Sequence, residues 1–193
     1  MKNTIWLASI AATALALGGC ERVEDGEAAP ATENTADQTL TASISQADGL
    51  STVAGVITEA NLASVFDGSS AYTVLAPTDD AFAELGDAAE QLTPDGDTAP
   101  MIALLRNHIV PGHLRPDDLR TALADDEDGE VEMASVGSDP VTFRMDGDTL
   151  VARGPDGAQV RLLVDRAVEA NNGVLIPVDG ILRRLPTATT ASR

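Results

Sequence analysis

Few side chains in this sequence could do chemistry: one cysteine, Cys20, two histidines, His108 and His113, and a surplus of carboxylates that is densest from Asp125 to Asp128. A serine nucleophile needs a strained turn to expose it, and no Gly-x-Ser-x-Gly elbow is present. Pro111 and Gly112 stand between the histidines, so the two cannot share a helix face as paired metal ligands do. Asp-Gly pairs recur, but none follows the acidic ligands that a calcium loop places ahead of its glycine. The acidic run reads first as a solvated loop, with divalent-cation bridging to another anionic surface as its competing use. Acid–base work needs two carboxylates in one cleft, and the spacing singles out no pair. Tyr72, the sole tyrosine, opens a strand and supplies little for stacking on sugars. No catalytic residue, cofactor or metal is therefore expected.

Cys20 has a specific context. Lys2 gives a minimal positive start, Ile5 to Leu17 is apolar apart from Ser9 and Thr13, and Leu17-Gly18-Gly19 sets two small residues directly before the cysteine. Charge, apolar stretch and small residues in that order form an export signal, and the apolar stretch is shorter than the roughly 20 residues a span needs. Leu-Gly-Gly-Cys resembles a lipobox, where bacteria diacylate the thiol and cleave just before it. The expectation is a leader over residues 1–19 and a lipid anchor on Cys20. Each buried methylene contributes about 0.8 kcal/mol, so two or three acyl chains hold a protein firmly to a bilayer. Glu21 is not the Asp that marks inner-membrane retention in some bacteria, so an outer-membrane or cell-surface location is expected.

The formal charge of the chain is −19 at neutral pH and its pI about 4.1, which argues strongly against nucleic acid or an anionic membrane surface as ligand. Residues 20–42 contain six acids against Arg22, no aromatic residue and Pro30. Such a segment buries too little apolar surface to offset its ordering entropy, so it is expected to act as an extended tether. The end, residues 187–193, reads as a frayed tail. With Cys20 acylated, no disulfide can form, and the domain between, 43–186, must rest on its apolar core.

Periodicity sketches that domain. Leu50, Val53, Ala54 and Ile57 recur at helical spacing, and Leu62, Ala63 and Phe66 suggest a second short helix after Asn61. Tyr72 to Leu75 is β-rich and stops at Ala76-Pro77; Thr78 can cap a helix with Asp79 and Asp80 at its positive end. Asp97 or Thr98 with Pro100 opens a helix whose Met101, Leu104, Leu105 and His108 share a face, ended by Pro111-Gly112. The bland reading of His108 is thus a hydrogen-bonded core residue, against a ligand or switch role. A short helix starts near Pro116. Strands are expected over 131–136, 141–145, 149–152 and 160–164, punctuated by Ser138-Asp139-Pro140, Asp146-Gly147 and Gly154-Pro155-Asp156-Gly157. Helices first and strands second point to an α+β domain.

Three segments carry a family resemblance. Tyr72 to Leu85 (YTVLAPTDDAFAEL) resembles the first signature of fasciclin domains, and Asn171 to Leu182 (NNGVLIPVDGIL) the second. Leu104 to Leu114 (LLRNHIVPGHL) is similar to the family's helix end with its histidine. The resemblance implies an α+β fold, a wedge-shaped β-sandwich with several helices packed on one side. It marks Thr73, Val74, Ala76, Pro77, Thr78, Phe82, His108, Asn172, Gly173 and Asp179 as structural motif residues. Asn172-Gly173 is expected to supply the positive φ of a tight turn, and Val174 to Ile176, apolar on both faces, to run through the core. Two departures stand out. Asn107 replaces the tyrosine the family often has before its histidine, so the integrin binding linked to that pair is not carried over. Pro177 follows Ile176 where a histidine is common, which predicts an edge or bulge there.

The function this implies is a surface-anchored, non-catalytic binding or adhesion module, tied to the membrane by acylated Cys20 and meeting a protein or extracellular-matrix partner in cell attachment or biofilm. A periplasm-facing structural or assembly lipoprotein of the cell envelope is the first alternative. A hydrolase with an unidentified carboxylate site is the second.

Overall fold

The computed structural model describes residues 38–66, 70–93 and 96–185. The expected leader 1–19, Cys20, residues 20–37 of the expected tether and the expected tail 187–193 lie outside the described residues. Two strands far apart in sequence form the centre: β1 (Tyr72–Pro77) lies parallel to β8 (Gly173–Val178), in register Thr73 with Val174 through Pro77 with Val178. Short strands β2 (Ile109–Pro111) and β7 (Val168–Ala170) flank them antiparallel, giving the order β2-β1-β8-β7. The second sheet is a meander, β3 (Glu130–Ala134), β4 (Pro140–Asp146), β5 (Thr149–Arg153) and β6 (Gln159–Arg161), turned at the three predicted sites.

The first sheet is apolar on both faces because it lies between two cores. Val74, Ala76 and Leu175 join Leu40, Ile44, Val53, Ile57, Phe66, Phe82, Met101 and Leu104 in the core against the helices. Leu75, Val174, Ile176 and Val178 point the other way, into a core with Val141, Phe143, Leu150, Ala152 and Val160 of the second sheet. Alternation with period two puts each residue in its layer. Burying one such aliphatic side chain contributes about 1.5–3 kcal/mol, so these strands dominate stability. The helices are α1 (Leu40–Gln46), α2 (Ser51–Glu59), α3 (Ala63–Phe66), α4 (Asp79–Ala83), α5 (Ala99–Arg106) and α6 (Pro116–Asp125). α6 stands apart from the rest and packs on β3 and β4. The fold is thus α+β, two four-stranded sheets with helices.

Four expectations change. Leu40 is 0% exposed and opens α1, so the packed domain begins inside the segment taken as tether to residue 42. The helical face extrapolated to His108 ends at Arg106, and Ile109 to Pro111 is a strand that the Pro-Gly signal concealed. β1 runs on through Ala76-Pro77 rather than stopping there. Pro177 lies in β8, which is interior to its sheet, but at the end where β7 no longer pairs with it, so the expected edge is only local. The direction of its nitrogen explains this. Asn172 and Val178 accept from β1 (Tyr72 and Thr78 N–H), so alternate residues such as Pro177 face the β7 side. β7 pairs only as far as Leu175; beyond it Pro177 C=O accepts from Leu163 N–H (2.8 Å), and Leu163 C=O is taken by Arg166 N–H (2.9 Å), so no acceptor is left waiting for the missing N–H. Pro77 uses the same solution, its nitrogen turned to the side where β2 has ended.

Candidate functional site

The motif residues collect around the β1–β8 pair, and each is held by contacts inside the domain. Thr73 is fully buried; its hydroxyl donates to Gly112 C=O at 2.8 Å and accepts from Leu114 N–H at 2.9 Å, fixing the loop after β2. Thr78 caps α4 by accepting from Ala81 N–H at 3.2 Å. Val74, Ala76 and Phe82 are core. Asn172 joins two helices. Its Oδ1 accepts from Leu40 N–H (2.7 Å) at the start of α1, and its Nδ2 donates to Phe66 C=O (2.8 Å) at the end of α3. Neither Asn172 nor Gly173 has a positive φ, so the turn argument for that pair is corrected. Glycine is required because a Cβ at 173 would lie 2.1 Å from Tyr72 C=O, where β8 starts against β1. Asp179 accepts from both Arg161 N–H (2.7 Å) and Arg161 Nε, and raises the guanidinium pKa further. That contact, with the Leu162–Val178 bridge, ties the two sheets together at one corner.

His108 is 1% exposed and satisfied on both nitrogens. Leu182 N–H can only donate, so Nε2 accepts from it (3.0 Å) and the ring proton must sit on Nδ1, donating to Leu104 C=O (2.9 Å). Burial, partly offset by the Leu104 hydrogen bond, lowers its pKa to about 4, so the imidazole is neutral at physiological pH. It joins the end of α5 to the final segment. Leu182 C=O is pressed onto Gly154, where a Cβ would come within 2.0 Å. Both the ring N–H and the Nε2 lone pair are thus engaged inside the domain.

Sequence reasoning missed two polar anchors. Asp79 stands in the first turn of α4 as expected and also caps α2, accepting from Ser51 N–H, Ser51 Oγ–H and Thr52 N–H at 2.8–3.1 Å. Desolvation would raise its pKa, but the hydrogen bonds from Thr52 and Ser51 outweigh it and lower the value to about 2. Asn107 is buried under the β3–β4 loop. It donates to Asp139 (2.7 Å) and accepts from Ser135, and a Cβ on Gly137 would fall 1.6 Å from its Oδ1. A tyrosine does not fit beneath this loop. A long-range partner for Asp79 leaves no local trace, whereas Gly137 beside the Ser138 turn was the available hint for Asn107. His113 lies on the loop after β2, apart from His108. In the acidic run, Asp126 accepts from Asp128 N–H (3.0 Å), a loop-internal bond. Among the described residues no three metal-ligating side chains gather in one place, and no helix is long and apolar enough to cross a membrane.

Residues 48–184 match the fasciclin domain family. The chain belongs to that family. The fasciclin match covers both motif segments and the His108 region between them. Protein sll1483 of Synechocystis sp. is 27% identical over 135 residues, 68% of this chain and 66% of that protein, so the chain spans just under two thirds of its length. Among solved structures, the FAS1 domain pair from the insect cell adhesion molecule Fasciclin I aligns with a TM-score of 0.58 at 20% identity, over 74% of this chain and 47% of that one. The likeness is one of fold.

Proposed function

We propose that this fasciclin domain is a non-catalytic adhesion module, anchored to the outer membrane through acylated Cys20 and presented to the outside of the cell. One observation carries the reading: residues 48–184 form a fasciclin domain whose motif residues are engaged in contacts that hold the β1–β8 pair and its neighbours together. Family membership and the fold shared with a cell adhesion molecule support the same reading. Beads coated with the domain are expected to attach to cells or matrix, and uncoated beads are not. Anchoring is tested separately: Cys20→Ala should abolish the acyl mass on the membrane-derived protein and release the chain from the membrane fraction. Protease shaving of intact cells decides the side, because an outward-facing domain is digested and a periplasm-facing one is spared.

A further inference from the structure

The outer face of the second sheet differs from the rest of this acidic chain, which has 12 Lys and Arg against 31 Asp and Glu. Register places Glu130, Arg144, Val151 and Arg161 in one row across the sheet, and Glu132, Thr142, Arg153 and Gln159 in the next. Three arginines thus share the outward side of β4–β6, with the acids of these rows confined to the β3 edge. Arg144 leans over β5 to donate to Gln159 (2.8 Å), while Arg153 leans the opposite way over β4 to Glu130 (3.6 Å). Val151, between Arg144 and Arg161 in its row, is only 1% exposed although it belongs to neither core, as expected where arginine stems lie over an apolar side chain. Arg144 has no carboxylate partner among the described residues, and its Nε is buried without a hydrogen bond. Beside Arg153 lies a shallow depression of about 390 Å³, lined by Glu132, Pro140, Thr142, Gly154, Pro155 and Gly157.

We propose that this arginine face binds a carboxylate-bearing polysaccharide, with uronate groups seated on Arg144 and Arg153. The proposal rests on the adhesion reading and names its substrate class. Guanidinium forks match carboxylates in planar, two-bond geometry. A protein partner would look for apolar or aromatic anchors, and this face has none; among the described residues Val136, on the β3–β4 loop, is the one exposed large hydrophobic. Neutral sugars are read by aromatic platforms, and all three phenylalanines are buried here. A hydrophilic polymer with spaced negative charges fits what remains. The surrounding acids repel such a polymer over about 8 Å at physiological salt. Retention should therefore pass through a maximum as salt first screens that repulsion and then the arginine contacts.

The test is retention of the full-length chain on immobilised alginate, with neutral dextran and duplex DNA as controls, in chelator so that calcium bridging through other acids is silent. Arg144→Gln with Arg153→Gln is expected to weaken apparent affinity about tenfold or more, since two charge-assisted contacts go. Arg115→Gln, whose partner Glu169 is elsewhere, should leave retention unchanged. Glu130→Gln with Glu132→Gln should strengthen it several-fold by freeing Arg153, a gain that misfolding does not produce. Equal retention on dextran or DNA, or no response to both double variants, overturns the proposal. The adhesion reading is judged apart: if coated beads still attach to cells when the arginine pair is removed, adhesion stands and this face is wrong.

Discussion

Lowering the pH from 8 to 4.5 should destabilise this domain through one residue, His108. In the fold the ring is neutral, with Nε2 committed to Leu182 N–H and the proton on Nδ1 committed to Leu104. Its pKa is about 4 there against 6.5 when exposed. As pH falls the unfolded chain takes the proton first. The stabilisation is therefore complete above pH 6.5, is lost progressively down to about 4, and changes no further below that. At about 1.4 kcal/mol per pH unit, the full loss is about 3 kcal/mol. Urea titrations at constant ionic strength across this range give the stability, followed by far-UV circular dichroism because the single tryptophan, Trp6, lies outside the fasciclin match at 48–184. Carboxylates titrate over the lower part of the same range, so the informative quantity is the difference between the native chain and His108→Gln. Glutamine offers an amide in place of the ring and does not titrate. A difference that stays constant from pH 8 to 4.5 would falsify the buried neutral imidazole.

Asp79→Ala should cost about 1 kcal/mol at pH 7 by uncapping α2, read as a lower melting temperature. The folded Asp79 pKa is depressed, so the native advantage over this variant is present above pH 3.8 and fades towards pH 2. Gly173→Ala forces a methyl onto Tyr72 C=O and should destabilise by on the order of 3 kcal/mol or prevent folding; a stable variant would mean that β8 can shift along β1. Asn172→Asp keeps the acceptor for Leu40 N–H but sets a carboxylate against Phe66 C=O. A loss of about 1–3 kcal/mol in urea is expected, and an unchanged midpoint would show that the Phe66 contact contributes nothing.

Local signals in the chain carried much of this fold. The apolar strand into Ala76-Pro77-Thr78, the two-faced apolar run after Gly173, and the apolar face Met101, Leu104 and Leu105 of α5 are each set by neighbours a few residues away, which is the range of periodicity and capping. The same holds for the β3–β6 meander, whose turns are written in Asp-Gly and Gly-Pro. α1 was hidden because Thr39 and Leu40 look like tether until Asn172 meets them. Strand β2 was hidden because three residues between a helix and Pro111-Gly112 give no period.

What the sequence by itself determined was the family, the α+β class and which residues belong to the interior. These follow from side-chain polarity and order along the chain. Tertiary structure alone decided what those residues hold. Asp79 reaches α2, Asn172 joins α1 to α3, Gly173 makes room for a carbonyl of β1, and three arginines from separate strands share one outer face. Most of these depend on the parallel β1–β8 pairing or on strand register, and they bring together positions as far apart in sequence as Leu40 and Asn172, separated by 132 residues. No local pattern encodes such a pairing, because the free energy that selects it comes from two cores closing at once on either side of the same sheet.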